Sequence, residues 1–422
     1  MKKNSLQSVK GFNEVLPPES FAWRRVEDIY RDLLEGYGFA ELRLALLEAT
    51  ELFARSIGDE TDIVEKEMYT FADRSGRSLT LRPEGTASVV RAFNQYSLGK
   101  RNEINKLYYI GPMFRYERPQ KGRFRQFHQL GAEAFGEASF HQDAETLIML
   151  AQFFHKLSLQ GVRLELNSLG CEKCRPAYRE RLREWFGGRE DELCGDCRRR
   201  LHDNPLRVLD CKVPGCREVG GSAPLINDEL CDDCRNHFAG LCRLLEAAGQ
   251  EYTVNPRLVR GLDYYTRTCF EFLAGELGAQ NAVAAGGRYD RLVEELGGKP
   301  TPAFGFAIGF ERLMLLLGER ETDVPKPLVA LIPLEDEALD RLFQVYIELN
   351  RRAPVASLAF QRKSLKSQLK RADKEGARYA LIVGSSELAN GRALCRDMQS
   401  GEQNELPLQG LAEKLWEMYD ER

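Results

Sequence analysis

The 422-residue sequence contains no apolar run near the roughly 20 residues that a spanning helix needs, so no membrane span is expected. No apolar stretch follows Lys2 and Lys3 at its start, so it does not read as a secretory signal, and a cytoplasmic location is expected. It has no excess of positive charge: the formal net charge is −4, and any contact with nucleic acid must come from a local basic patch. Internal repeats and low-complexity tracts are missing too. What remains, 43% hydrophobic and 29% charged residues, describes a globular protein, and its length suggests roughly two or three domains. Eleven cysteines in a reducing compartment point to metal binding or burial rather than to disulfides.

After Pro17 and Pro18, apolar residues Trp23, Val26, Ile29, Leu33 and Tyr37 recur at three- and four-residue steps, predicting an amphipathic helix that Gly36 and Gly38 can stop. A strand is expected near residues 39–46. Residues 106–115 and 124–136 read as two strands joined by a long basic loop, in which Pro119 and Gly122 set the turn. Residues 171–234 stand apart, with eight of the eleven cysteines, many charges and little continuous hydrophobic pattern, as expected of an inserted module too polar to fold on its own core. Residues 318–327 form the best linker, and the apolar runs 328–332 and 379–383 beyond it predict a small α/β domain with a partly parallel sheet.

Side chains alternate along a strand, so Arg123, Arg125, Gln129 and Glu133 are expected on one face, and such a row must meet solvent or line a pocket. Arg115 adds a planar guanidinium suited to phosphate oxygens. A solvated face with internal Arg/Glu pairing is the plain alternative. Around Pro83 and Gly85 a turn presents Glu84 and Thr86 ahead of a helix, and Thr86 reads equally well as a helix cap. Gly286 and Gly287 mark a close backbone approach, although no G-x-G-x-x-G fingerprint surrounds them.

Cys171-x2-Cys174 and Cys194-x2-Cys197, nineteen residues apart, fit a zinc pattern, and Cys211-x4-Cys216 with Cys231-x2-Cys234 form a second, looser set. A structural zinc ion held by Cys171, Cys174, Cys194 and Cys197 is the first reading, although spacing does not say which pairs share an ion. Reduced, buried cysteines without metal are the alternative.

Taken in order, these pieces resemble a known family. Phe114-Arg115-Tyr116-Glu117-Arg118-Pro119-Gln120-Lys121-Gly122-Arg123-Phe124-Arg125-Gln126-Phe127 resembles motif 2 of class II aminoacyl-tRNA synthetases, and Phe304-Gly305-Phe306-Ala307-Ile308-Gly309-Phe310-Glu311-Arg312-Leu313 resembles motif 3. Arg260-Gly261-Leu262-Asp263-Tyr264-Tyr265-Thr266 and Ala285-Gly286-Gly287-Arg288-Tyr289-Asp290 are similar to the two histidine-specific motifs of the histidyl-tRNA synthetases. Residues 9–18 resemble that family's N-terminal segment, and residues 365–371 with 382–392 its anticodon-binding domain. The motif 1 proline is replaced by Ala45, which weakens the local evidence for a dimer.

The resemblance implies a mixed α/β fold: an α+β catalytic domain on an antiparallel sheet at residues 1–325, interrupted by a cysteine-rich insertion at 170–250, then an α/β anticodon-binding domain at 326–422. It implies a homodimer that joins L-histidine to tRNA(His) at the cost of ATP, with Mg2+. Arg115, Arg260 and Arg312 are then the catalytic cations, joined by Arg123 on ATP. Glu84, Gly85, Thr86, Arg115, Gln129, Glu133, Arg260, Tyr264, Tyr265 and Tyr289 would surround histidine. Arg118 and Gln120 would touch the acceptor end of the tRNA. Residues 361–378 hold Arg362, Lys363, Lys366, Lys370, Arg371, Lys374 and Arg378 against Asp373 and Glu375, with Leu365, Leu369 and Ala372 facing inward on a helix. Within an anticodon-binding domain, Lys366, Lys370 and Arg371 become RNA contacts. By the same resemblance, any zinc is structural rather than catalytic.

Two other readings share parts of this pattern. A catalytically inactive relative serves as a regulatory subunit of ATP phosphoribosyltransferase, but it typically lacks the anticodon domain and has a degraded Arg-Gly-Leu-x-Tyr-Tyr segment. Class II synthetases for threonine or proline share motifs 2 and 3 but not Tyr264-Tyr265 or Gly286-Gly287-Arg288-Tyr289.

Overall fold

The computed structural model describes residues 6–58, 61, 63–101, 105–275, 281–318, 324–361 and 363–420. Arg362 and residues 319–323 of the expected linker lie outside them. The chain divides into two compact units, Met1–Thr322 and Asp323–Arg422.

The first unit is built on an eight-stranded sheet. Strands Asn105–Phe114 and Gln126–Phe135 pair antiparallel along their full length. Ala303–Gly309, Ala282–Arg288, Thr266–Ala274 and Val162–Ser168 follow in that spatial order, each antiparallel to its neighbour. Two-residue strands, Ala40–Glu41 and Thr253–Val254, add parallel edges.

Alternation along Gln126–Phe135 separates the two faces of this sheet. Leu130, Ala132 and Ala134 enter the main core, with Tyr30 of helix Glu19–Gly36, Phe153 of helix Phe140–Lys156 and Leu241 of helix Asp232–Ala247. Gln129 and Glu133 point to the opposite face, where Val89, Phe93, Tyr109, Tyr264, Tyr265 and Tyr289 gather. In the first helix Trp23, Val26 and Leu33 are buried as expected, Ile29 and Tyr37 pack partly buried against the same core, and Tyr30 and Leu34 join the buried face.

Three expectations change. The strand expected at 39–46 shrinks to Ala40–Glu41, because the Arg82 guanidinium takes up the carbonyls that a strand would use: Nη1 donates to Leu44 O at 3.0 Å and Ala45 O at 3.2 Å, and Nε to Pro112 O at 2.9 Å. The Arg123, Arg125, Gln129, Glu133 row is cut in half, because the strand begins only at Gln126. Arg125 is held in the preceding loop, its amide on Gly11 O and its guanidinium 3.9 Å above the Tyr116 ring. Lastly, the insertion has its own small core, in which Tyr178, Leu182, Phe186, Leu201 and Ile226 pack among the cysteines.

The second unit carries a five-stranded sheet in the order Ala356–Leu358, Val329–Pro333, Tyr379–Val383, Arg392–Asp397, Gln403–Pro407. The first three strands are parallel, Arg392–Asp397 pairs antiparallel with Tyr379–Val383, and Gln403–Pro407 pairs antiparallel with Arg392–Asp397. On its basic helix, Leu365–Glu375, Ala372 is buried, but Leu365 is exposed. Gln368 takes the inward position instead, its Nε2 donating to Pro333 O at 2.8 Å and Lys363 O at 3.0 Å.

Candidate active site

Glu133 lies opposite Gly305 in the adjacent strand, and it is fully buried. The glycine is required: a Cβ there would stand 1.6 Å from Glu133 Oε2. Thr86 Oγ1 donates to Glu133 Oε1 at 2.7 Å, and the Tyr289 hydroxyl donates to Oε2. Thr86 therefore does not cap its helix, Thr86–Gln95. The Glu84 carboxylate does, accepting the Thr86 and Ala87 amides at 2.6 and 2.8 Å. Burial pushes the Glu133 carboxyl up to about 8; the Tyr289 and Thr86 hydrogen bonds work against that rise, and the nearby Glu84 adds to it. Glu84 is itself raised by burial. Between the ordinary carboxylate range and about pH 8 the folded chain holds a proton at Glu133 that the unfolded chain has lost, so this group's contribution to stability falls as pH rises through that window.

The tyrosines close this chamber. Tyr264 packs edge-on to Tyr289 with ring centroids 5.6 Å apart, and Tyr265 lies 4.7 Å from Tyr264. Gln129 is buried, and its Oε1 accepts no hydrogen bond from the described residues. Sequence reasoning overlooked the part that holds Tyr289 in place, the fully buried Arg288. Its guanidinium binds Asp143 Oδ1 at 2.5 Å, Ser139 O at 2.9 Å and Glu137 O at 3.0 Å. Gly286 makes a close approach to the neighbouring strand, where a Cβ would meet Gly305 O at 2.1 Å.

A cavity of about 390 Å³ brings together Arg115, Arg123, Arg260 and Arg312. They come from distant parts of the chain, yet all four line one space. Arg115 Nε donates to Pro83 O at 2.8 Å, tying the cavity to the turn before Glu84. Arg260 pairs with Glu271 and lies 5.8 Å from the Tyr265 ring centroid. Arg312 Nη1 donates to Ala282 O at 2.7 Å, and its pKa is lowered by burial and then by the neighbouring charge of Arg123. Lys212 adds a fifth cation, and carboxylates from Glu117, Asp210, Glu271 and Glu311 share the lining. Burial raises the Glu271 pKa, while Arg260 pulls it down. Neither Asp210 nor Glu271 carried a sequence signal, because each matters only through its spatial neighbours. The result is a cationic cavity for a polyanion beside a buried polar chamber for a small ligand.

Arg118 and Gln120 are exposed in the loop between the two long strands. Lys366 and Lys370 are exposed on the basic helix, and Arg371 pairs weakly with Glu375 at 3.7 Å. The cysteines group differently from the first sequence reading. Cys171 and Cys174 meet Cys231 and Cys234, whereas Cys194 and Cys197 meet Cys211 and Cys216. The set of Cys171, Cys174, Cys194 and Cys197 is thereby overturned: helix Arg175–Gly187 carries the chain away between those two pairs, and only the start of helix Asp232–Ala247 returns to the first.

Comparison with known proteins agrees with this arrangement. Residues 11–172 and 224–313 match the family model described as histidyl-tRNA synthetase, and residues 328–418 match that of an anticodon binding domain. The chain is 51% identical over 413 residues to the histidine–tRNA ligase of Syntrophotalea carbinolica, covering 98% of this chain and 99% of that protein. It is also 51% identical over 403 residues to the histidine–tRNA ligase of Geobacter sulfurreducens, covering 96% and 97%. It is similar to the crystal structure of apo S. aureus histidyl-tRNA synthetase, with a TM-score of 0.83 and 34% identity over 97% of this chain and 100% of that one. A Bacillus halodurans structure titled as an ATP phosphoribosyltransferase regulatory subunit/histidyl-tRNA synthetase shares the fold, with a TM-score of 0.64 at 20% identity over 90% of this chain and 98% of that one.

Proposed function

Because this chain belongs to the histidyl-tRNA synthetase family, we propose that it is a histidine–tRNA ligase whose four-arginine cavity receives ATP and whose Glu133 chamber receives L-histidine. The observation that carries the reading is the convergence of Arg115, Arg123, Arg260 and Arg312 on one cavity next to the Tyr264, Tyr265 and Tyr289 cluster. A regulatory subunit without catalysis has no need of that cationic set. On this reading residues 1–325 are the catalytic domain, interrupted at 170–250, and residues 326–422 bind the anticodon.

In the first step a carboxylate oxygen of histidine attacks the α-phosphorus of ATP, the bond to the bridging oxygen breaks, and pyrophosphate leaves. Arg115 and Arg260 meet the charge that develops at the α-phosphate, while Arg123 and Arg312 hold the β- and γ-phosphates. Magnesium would accompany ATP and offset its phosphate charge, and Glu117, Asp210, Glu271 and Glu311 are the carboxylates lining the cavity that would offer it oxygen ligands. In the second step the terminal ribose hydroxyl of tRNA(His) attacks the activated carbonyl and AMP leaves, a reaction driven mainly by positioning. Arg118 and Gln120 guide the acceptor end, and Lys366, Lys370 and Arg371 hold RNA phosphates. Charging of tRNA(His) by the purified protein, read on acid gels, tests the whole scheme. The product is histidyl-tRNA, and a protein that charges no tRNA(His) is not this enzyme.

Glu84, Gly85 and Thr86 receive the α-amino group, with Gln129 and Glu133 on the imidazole side; unpaired polar groups then penalise apolar side chains. A hydrogen-bond donor from a neutral imidazole brought against Glu133 stabilises its ionised form, so histidine binding at pH 7.5 is expected to release a substantial fraction of a proton, a release that fades as pH rises past about 8. Calorimetry in buffers of different ionisation enthalpy reads this directly, and a buffer-independent enthalpy at pH 7.5 would contradict release to solvent, the proton then staying on Glu133 or passing to the imidazole.

A homodimer is proposed through the small sheet of Leu47–Ala49, Tyr69–Ala72 and Ser78–Leu81, on which Leu47 and Phe71 are 43% and 47% exposed. Sedimentation equilibrium is expected to give twice the chain mass, and a monomer at micromolar concentration would count against it.

A further inference from the structure

The family match stops at residue 172 and resumes at 224, and most of the cysteine-rich insertion lies between those limits. Its eight thiols form two groups of four, and within each group all the sulfurs lie within 4.8 Å of one another. Cys171 Sγ is 3.8 Å from both Cys174 Sγ and Cys231 Sγ, and Cys194 Sγ is 3.9 Å from Cys211 Sγ. A disulfide would need about 2 Å. A tetrahedron of sulfurs around zinc, with Zn–S near 2.3 Å, has edges of about 3.8 Å. A multinuclear iron–sulfur cluster shares four thiolates among two or four irons and so sets some of the sulfurs further apart. Each group also has a backbone amide aimed at sulfur, Cys231 N at Cys174 Sγ (3.2 Å) and Cys194 N at Cys216 Sγ (3.1 Å), the donors that a thiolate uses.

The two groups are nested. The outer one joins the neck of the module, where the chain enters helix Arg175–Gly187 and leaves through helix Asp232–Ala247. The inner one ties the start of helix Gly195–Asp203 to Cys211, just beyond the turn Pro205–Asp210, and to Cys216. That turn touches the active site. Arg207 Nε donates to Asp263 Oδ1 at 3.0 Å and its Nη1 to Arg260 O at 3.3 Å, Asn204 Nδ2 donates to Asp263 Oδ1 at 2.9 Å, and Asp210 and Lys212, on either side of Cys211, line the arginine cavity.

We propose that the insertion holds two zinc(II) ions, each in a four-thiolate site, Cys171/Cys174/Cys231/Cys234 and Cys194/Cys197/Cys211/Cys216, and that the inner ion positions Arg207 and Asp210 against the Arg260 segment. The outer ion closes the module on the sheet. Arg207 is a positioning residue: it holds the backbone of Arg260 rather than touching substrate. The metal assignment stands without the ligase reading; the coupling to Arg260 rests on it.

Elemental analysis of the full-length protein, purified without added chelator, tests the first part. Two zinc ions per chain are expected, and Cys211→Ser should retain one. Any other zinc stoichiometry in the unsubstituted protein, or iron in place of zinc, overturns the proposal. If the variant fails to fold, cobalt-loaded unsubstituted protein answers the same question: two equivalents with tetrahedral thiolate charge-transfer and d–d bands are expected, and an octahedral spectrum overturns it. For the coupling, Arg207→Ala should keep both zinc ions yet lower the kcat of histidine-dependent ATP–pyrophosphate exchange about tenfold, with a smaller change in the KM for ATP and partial rescue by Arg207→Lys. An unchanged kcat overturns the coupling and leaves the metal result to be judged by the analysis above.

Discussion

Replacement of Arg260 by alanine is expected to lower the kcat of histidine-dependent ATP–pyrophosphate exchange about a thousandfold, the scale of losing a preorganised charge at a reacting centre. Arg260 lines the phosphate cavity and pairs with Glu271. Its removal subtracts a cation from the α-phosphate and leaves the Glu271 carboxylate facing an anionic substrate. The second loss is separable from the first, so Arg260→Ala combined with Glu271→Gln should recover part of the rate and no more. Arg260→Lys should stay close to the alanine variant, because an ammonium lacks the planar fork that reaches Glu271 and the phosphate together. Thermal unfolding of each variant separates lost chemistry from lost fold. A folded Arg260→Ala protein with undiminished exchange would sink the assignment.

Glu133→Gln is expected to reduce kcat/KM for histidine about a hundredfold while leaving the KM for ATP nearly unchanged. The substitution keeps the shape of the side chain, so the close packing against Gly305 survives. What changes is polarity. Both oxygens of Glu133 accept hydroxyls, from Thr86 and Tyr289, and an amide turns one of those acceptors into a donor. The buried site also loses the only form of the group that can become an anion when histidine binds. Steady-state exchange kinetics at varied histidine and varied ATP read the two constants separately, and equal losses in both would show that Glu133 serves the fold rather than the amino acid.

Much of what depends on short spacing was legible in the sequence. The first helix, the long strand pair and the small C-terminal sheet follow from periodicity, and the motif arginines from residue type and order. It was silent wherever a distant side chain decides the outcome. The strand expected at 39–46 failed because Arg82, nearly forty residues later, takes the carbonyls of Leu44 and Ala45. The inward role of Gln368 depends on a carbonyl at Pro333. Arg288 is legible as part of the Gly286-Gly287-Arg288-Tyr289 motif, but its burial is not, because that depends on Asp143 from helix Phe140–Lys156. The cysteine pairs are the plainest case: spacing finds the C-x2-C units, but the nesting of one group inside the other is a property of the folded chain.

The most direct test of the ligase account is ATP–pyrophosphate exchange by the purified protein with each amino acid in turn. Histidine alone is expected to support exchange, at a rate that collapses in Arg260→Ala. Exchange with another amino acid, or none with histidine, would contradict the account.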